Sequence, residues 1–86
     1  MPAQLSASTK KPDSNDLRAI LAWNVRRLRV QRKMSQEQLA FESELDRTYI
    51  SAIERKVWNA SLSSIEKIAL ALQVPAWKLL HTTSSD

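Results

Sequence analysis

Apolar residues recur at intervals of three and four along two long segments of the chain, which is the spacing of one face of an α-helix. The first segment predicts a helix that begins at Asn15 or Asp16 and ends near Lys33. Its buried stripe is predicted to hold Leu17, Ile20, Leu21, Val25 and Leu28. The second segment follows Ser61, a good N-cap residue, and its stripe holds Leu62, Ile65, Ile68, Ala69 and Leu72.

Two shorter helices are predicted between these segments, over residues 35–54. Ser35 is a suitable N-cap for the first, and Gln38 stands where a capping box would return a hydrogen bond. The turn falls at Glu44 and Leu45, and Asp46 caps the second helix. The buried positions of the pair are Leu39, Ala40, Ile50 and Ile53. The opposite face of the second helix carries Arg47, Thr48, Tyr49, Ser51 and Ala52.

A last short helix is predicted after Pro75, a residue suited to a first helical turn. No window alternates apolar and polar residues for long enough to form a strand. We therefore predict an all-α fold of five helices. The helical domain covers residues 15–81, residues 1–14 form a flexible tail rich in Pro and Ser, and residues 82–86 form a frayed C-terminal tail.

Composition narrows the functional classes. The 86 residues include no Cys, so neither a disulfide framework nor a thiolate metal site is supported. His81 is the single histidine, and no catalytic constellation is supported either. We expect no enzyme activity, no cofactor and no metal. There is no apolar run of about 18 residues and no apolar signal-peptide core, so a cytoplasmic protein away from the membrane is expected.

The net charge of +4 is unevenly distributed. Six cations and no acid fall between Leu17 and Met34, namely Arg18, Arg26, Arg27, Arg29, Arg32 and Lys33. A solvated helix face would account for such a run, and so would a surface that binds a polyanion. Taken beside the pair of short helices, the run favours nucleic acid.

Four stretches of the chain carry a resemblance to a known family: Arg29, SQEQLA at 35–40, DRTYIS at 46–51 and IER at 53–55. With these motifs in this order, residues 20–80 resemble the Xre/Cro-like helix-turn-helix family, which has the fold of lambdoid phage repressors. The string LDRTYISAIER is most similar to the controller proteins of restriction–modification systems. The resemblance implies a lambda-repressor-like DNA-binding domain.

The resemblance also implies roles for individual residues. Arg29 and Glu54 match an ion pair that joins the first helix to the end of the recognition helix, a structural role. Gln36 matches a residue at a helix start that meets a phosphate. Base and backbone contacts are implied for Arg47, Thr48, Tyr49, Ser51 and Asn59.

Three positions depart from the family pattern, because Lys33, Glu44 and Lys56 stand where glycine is usual. Ala60 also replaces a common proline. Glycine is absent from the whole chain, so each turn either places an ordinary residue in a left-handed conformation or differs locally. The two lysines would lie near a phosphate backbone.

Several recognition residues have a second interpretation. Arg47 is predicted to pair with a guanine, although it could instead bond to Asp46 or Glu44. Tyr49 could meet a thymine methyl group or a phosphate, or pack back onto its own helix. Arg55 is equally consistent with a phosphate contact and with a solvated helix end. For Thr48 and Ser51, contact with DNA is slightly favoured over solvent exposure.

An exposed tryptophan on the last helix predicts a protein–protein interface. On the last helix, Ala76, Leu79 and Leu80 mark the buried side, which leaves Trp77 outward. We predict a homodimer formed through Val74, Trp77 and Leu80. Trp58 either flanks that interface or lies over the DNA backbone. A two-fold dimer would read two half-sites about 34 Å apart, which one short helix cannot do alone.

The predicted function is a sequence-specific transcriptional regulator that binds a two-fold symmetric operator in double-stranded DNA. A controller protein would regulate its own gene and an endonuclease gene, with RNA polymerase as a candidate further partner and no small-molecule effector. A phage-type repressor and an antitoxin are close alternatives. From another class, the same helices would form a protein-interaction module without DNA sequence specificity.

Overall fold

The computed structural model describes residue 12, residues 15–57 and residues 59–82. These residues form α1 (Leu17–Gln31), α2 (Gln36–Ser43), α3 (Arg47–Glu54) and α4 (Leu62–Leu72), followed by a 3-10 helix over Ala76–Leu80. The described residues include no strand, so the all-α prediction is confirmed. Apart from residue 12, the predicted tail over 1–14 lies outside them, as do residues 83–86.

The fifth predicted helix is present, but it is not an α-helix. The segment after Pro75 is a five-residue 3-10 helix in which the Lys78 amide donates to the Pro75 carbonyl at 3.0 Å. So short a segment gains little from α-helical bonding, because nearly all of its groups would belong to helix ends. The first helix also stops two residues before the predicted Lys33, at Gln31.

Side chains cap the N-terminus of every α-helix among the described residues. Asp16 Oδ1 accepts from the Ala19 amide at 3.1 Å, and Ser35 Oγ accepts from the Gln38 amide at 3.0 Å. Equivalent bonds run from Thr48 to Asp46 at 3.1 Å and from Ser64 to Ser61 at 3.0 Å. The return bond predicted from the Gln38 side chain to Ser35 is not formed.

All four α-helices end in the same way. A residue with positive φ follows each helix, and the next amide donates to a carbonyl five residues back. The four residues are Lys33, Glu44, Lys56 and Gln73, with φ values of 57°, 62°, 63° and 61°. The bonds join Met34 to Arg29, Leu45 to Ala40, Val57 to Ala52 and Val74 to Ala69, at 2.9 to 3.0 Å. The left-handed alternative is therefore confirmed at the three predicted positions, and Gln73 is an additional case.

The core is formed by the inner faces of all five elements. Its fully buried members are Ile20, Val25, Leu39, Ile50, Ile53, Ile68, Leu72 and Leu79. The prediction that Leu17 and Leu62 are buried is wrong, because they are 57% and 75% exposed. Each is the first residue of its helix, where the helix extends beyond the neighbours that cover the next turn.

A buried amide fixes the C-terminal segment to α1. The Asn24 side chain, fully buried, donates to the carbonyls of Leu79 and His81 at 2.9 and 3.0 Å. Its oxygen accepts from Arg27 Nη2 at 3.1 Å. The amide thus satisfies carbonyls that a short 3-10 helix leaves without partners, and Leu79 is held against the core.

Candidate nucleic-acid interface

Helix α3 presents two faces of different character. Ile50, Ala52 and Ile53 are buried, with at most 2% of each exposed. Arg47 and Thr48 are exposed in the first turn. Ala52 was predicted on the outer face and is instead buried, since its small side chain fits where the end of α3 packs close to the core. The free polar surface of α3 is therefore concentrated at its N-terminus.

Arg47 is available for an external partner. Both candidate internal acceptors, Asp46 and Glu44, are described residues, and neither forms an ion pair with Arg47. The Asp46 carboxylate is occupied by the Thr48 amide. A guanidinium in this position can form two parallel hydrogen bonds to a guanine edge in a major groove.

Tyr49 and Ser51 are half-buried on the sides of α3. The Tyr49 hydroxyl accepts a hydrogen bond from the Ser61 amide at 3.4 Å, and its ring packs against the core. Tyr49 therefore ties α3 to the loop that leads into α4. Ser51 Oγ accepts from Arg55 Nε at 3.3 Å, which draws the Arg55 guanidinium along the side of the helix.

Three side chains meet between α1, α2 and α3. Arg29 Nε and Nη2 donate to Glu54 Oε2 and Oε1 at 2.7 and 3.0 Å, and Nη1 donates to the Met34 carbonyl at 2.8 Å. Gln36 Nε2 adds a bond to Glu54 Oε1 at 3.1 Å. The Glu54 side chain is 5% exposed and the Arg29 side chain 13% exposed, so the pair is largely shielded from water. We call this arrangement the charged clasp.

The charged clasp gives Gln36 a partner within the protein. The amide predicted to meet a phosphate is bonded to Glu54 in this structure. An amide nitrogen carries two hydrogens, so one donor is still unused after this bond. The clasp fixes the start of α2 relative to the end of α3, which sets the spacing between the two candidate DNA-contacting helices.

The remaining predicted contacts lie apart from this cluster. Asn59 is exposed and borders an open groove of about 290 Å³ between the starts of α1 and α4, together with Leu17, Ala60 and Leu62. Of the predicted dimer residues, Trp77 is 61% exposed, and Val74 and Leu80 are half-buried against the core. Trp77 meets His81 edge to face, with ring centroids 5.3 Å apart. Trp58 lies outside the described residues.

Sequence reasoning missed Asn24, which falls within the apolar stripe of α1, four residues from both Ile20 and Leu28. A polar residue at such a position was the available signal. The sequence analysis also counted all the cations of α1 together as one basic surface. Arg29 is bound in the charged clasp, and the Arg27 guanidinium carbon lies 4.9 Å from the Trp23 ring centroid. Fewer cations of this basic run are therefore available to bind a polyanion.

The described residues hold no cluster of three His, Cys, Asp or Glu side chains suited to a metal ion. Within the same part of the chain, no helix is long and apolar enough to cross a membrane. What this surface offers is an exposed arginine and hydroxyl at a capped helix start, beside a rigid junction of helices. An exposed arginine and hydroxyl at a helix start are groups that can bond to phosphates and base edges.

Comparison with known proteins agrees with this geometry. A family model described as Helix-turn-helix matches residues 25–76. The chain is 54% identical over 80 residues to a Neisseria hypothetical transcription factor from Neisseria meningitidis serogroup B, which covers 93% of this chain and 76% of that protein. The crystal structure of a hypothetical transcription factor NHTF from Neisseria, 54% identical to this chain, superposes with a TM-score of 0.84, covering 88% of this chain and 87% of the other.

Control protein C.BamHI of Bacillus amyloliquefaciens is 49% identical over 72 residues, or 83% of this chain and 89% of that protein. The restriction–modification controller protein C.Esp1396I, solved as a tetramer in complex with its natural 35 base-pair operator, is 37% identical with a TM-score of 0.68. That match covers 74% of this chain and 88% of the other. The chain therefore belongs to the helix-turn-helix family, in which restriction–modification controller proteins are among its relatives.

Proposed function

We propose that this chain is a sequence-specific DNA-binding transcriptional regulator that acts as a homodimer on a two-fold symmetric operator. The observation that carries the proposal is the division of α3 into a buried apolar face and an exposed, capped N-terminus bearing Arg47 and Thr48. Recognition helices contact bases mainly through such N-terminal residues. The operator complex formed by the relative C.Esp1396I supports the same use of the fold.

The proposed reading residue is Arg47, paired bidentately with a guanine. Thr48 and Ser51 contact base edges or phosphates beside it, and Tyr49 reaches the backbone from the side of the helix. Gln36, Arg55 and Asn59 are assigned to phosphates. Phosphate contacts fix the position of the protein on the duplex, and base contacts carry the sequence preference.

The homodimer is proposed through the C-terminal segment. An eight-residue α3 is about 12 Å long and covers only a few base pairs, so one copy discriminates weakly. Trp77, with 61% of its surface exposed, supplies the main apolar contact, and the partly covered Val74 and Leu80 extend it. Two copies related by a two-fold axis would present their α3 helices to successive major grooves.

Among regulators, we favour a restriction–modification controller, on the strength of 49% identity to C.BamHI over 83% of this chain. Such a protein would control its own gene and an endonuclease gene through its concentration. Activation at one site would bring it against RNA polymerase.

Selection from random DNA duplexes, followed by sequencing of the bound pool, tests the function. We expect enrichment of an inverted repeat with half-sites about one helical turn apart. Enrichment of a single short site would retain DNA binding and reject the symmetric dimer. No enrichment even at low salt would reject the regulator in favour of a protein-interaction module.

Two variants test the assigned residues on the selected operator. Arg47→Ala should abolish the preference for the guanine position at a cost of about 1–3 kcal/mol, while salt-sensitive binding to other sequences persists. Lys67→Ala on α4, which also removes one exposed cation, is the matched control. An Arg47→Ala affinity within about twofold of the parent would overturn the assignment.

Trp77→Ala tests the dimer by light scattering at low micromolar concentration. We expect the average mass to fall toward that of one chain, because removing a buried aromatic from an interface core costs about 2 kcal/mol or more. Leu70→Ala, which removes another exposed apolar side chain, is the control. An unchanged mass for Trp77→Ala would reject the proposed interface.

A further inference from the structure

Two of the left-handed turn residues are lysines, and their positions are related. Lys33 lies two residues after the last residue of α1, and Lys56 lies two residues after the last residue of α3. Both are exposed, and no carboxylate among the described residues pairs with either one. A left-handed conformation is unfavourable for a residue with a long side chain, and glycine adopts it without that cost. Lysine at these two turns therefore carries a cost in stability that glycine would avoid.

The charged clasp brings the two turns together. Arg29 Nη1 holds the Met34 carbonyl at 2.8 Å, directly after Lys33, and the same guanidinium holds Glu54, two residues before Lys56. Gln36 also bonds to Glu54, so the start of α2 belongs to the same junction. The two lysines thus flank one rigid polar centre instead of lying on separate, independently moving loops.

The electrostatic balance at this junction is positive. Arg29 and Glu54 neutralise each other inside the clasp. Arg32 and Arg55 adjoin the two lysines in the chain and are also exposed. One exposed acid, Glu37, lies in the first turn of α2, where it suits the helix dipole. Four exposed cations against one exposed acid leave a surface that attracts polyanions.

We infer that Lys33 and Lys56 form a paired contact to the DNA backbone, on the phosphates that border the groove entered by α3. This inference rests on the proposed DNA-binding function and adds two residues to it. Each lysine donates from a flexible ammonium to a phosphate oxygen, and the clasp sets the distance between the two turns. Each contact releases condensed counterions from the duplex without reading sequence.

The test measures binding to a fluorescein-labelled duplex of mixed sequence, about 20 base pairs long, across a series of NaCl concentrations. The slope of log K against log[NaCl] is negative, and its magnitude falls by about 0.9 for each phosphate that the protein no longer neutralises. For Lys33→Gly/Lys56→Gly we expect the magnitude of this slope to decrease by about 1.8 and binding to become weaker. The melting temperature should stay the same or rise by a few degrees, because glycine removes the left-handed penalty.

Three controls separate charge from backbone effects. Lys33→Asn/Lys56→Asn removes the cations with a residue that tolerates left-handed φ, and should reproduce the slope change even if the glycine double variant folds poorly. Gln73→Gly relieves the same kind of turn at the end of α4 and should leave the slope unchanged. Lys67→Ala removes an exposed cation elsewhere and should also leave it unchanged.

The outcomes are distinguishable. If the parent protein binds with a steep salt dependence and both double variants keep its slope, the inference is overturned while the DNA-binding function stands. The inference is also overturned if Lys67→Ala lowers the magnitude of the slope by about 0.9, which is half of the change expected for the double variants. If the parent protein shows no salt-dependent binding, the proposed function itself fails.

Discussion

Two polar arrangements hold α1 to the rest of the molecule, and they differ in charge. The charged clasp joins α1 to the end of α3 through Arg29 and Glu54. The second, which we call the amide clasp, joins α1 to the C-terminal segment through Asn24 and the carbonyls of Leu79 and His81. The charged clasp fixes the candidate DNA-contacting helix, and the amide clasp fixes the segment that carries Trp77.

The difference lies in what each arrangement requires. A guanidinium and a carboxylate shielded from water must remain together, because either one alone is a nearly buried charge. The Asn24 amide is neutral, and its removal leaves two carbonyls without a donor. Both clasps start from the same helix, so α1 determines the relative placement of both candidate functional surfaces.

The largest effect is expected from breaking the charged clasp with Glu54→Ala. Arg29 would keep its charge without a partner, and the free energy of unfolding should fall by about 3 kcal/mol. Urea denaturation measures the change. Replacing both partners, as Arg29→Met/Glu54→Leu, should recover most of the loss. A cost below about 1 kcal/mol for Glu54→Ala would mean that water already compensates the guanidinium.

A smaller loss is expected from Asn24→Ala, about 2 kcal/mol, since two carbonyls lose their donor and a small cavity forms. Hydrogen exchange should also accelerate in residues 76–82 before it does so in α3. Asn24→Asp is the matched variant: it keeps the size but puts an acceptor where a donor is needed, and should be at least as destabilising. Equal acceleration in both regions would contradict the separation of the two clasps.

Gln36→Ala tests how much the third side chain of the charged clasp contributes to its stability. It removes one hydrogen bond to Glu54 and leaves the ion pair intact, so the expected loss is about 1 kcal/mol. Gln36→Glu places a second carboxylate against Glu54 and should cost more. Thermal unfolding of both variants at neutral pH measures the order. The reverse order would show that the Gln36 bond is unimportant to the clasp.

The smallest effect is expected from Ser51→Ala. Its bond to Arg55 is 3.3 Å long and exposed, so unfolding free energy should change by less than about 0.5 kcal/mol. The affinity for a selected operator should fall more than stability does, since Ser51 lies one helical turn after Arg47, the proposed reading residue. Urea denaturation and fluorescence anisotropy on the same preparation give both values.

Sequence alone predicted the elements whose signals are local. The four α-helices have an apolar period and a capping residue, such as Asp46 or Ser61, that can be read from the chain. The Arg29–Glu54 pairing was available only through the family resemblance, because 25 positions separate the partners. Asn24 has no local signature beyond a polar residue in an apolar stripe, and its partners are backbone carbonyls, which sequence does not distinguish.

Errors arose where the environment at a helix end determines burial or geometry. Leu17 and Leu62 fit the apolar period but stand in the first position of their helices, and a period does not say where the neighbouring element stops. The segment after Pro75 was given the right inner residue, Leu79, but the wrong helix type. The bond from Gln36 to Glu54 could not be read from either residue alone.

The glycine-free helix ends have a consequence for the lifetime of the protein. Each left-handed residue other than glycine lowers stability by about 1 kcal/mol, which raises the unfolded population about fivefold. When opening is fast compared with cleavage, proteolysis in a cell follows that population. Glu44→Gly/Gln73→Gly, which spares both lysines, should therefore slow turnover and raise the steady-state abundance of the chain. For a regulator that acts through its concentration, the conformation of four turn residues would then set the timing of control.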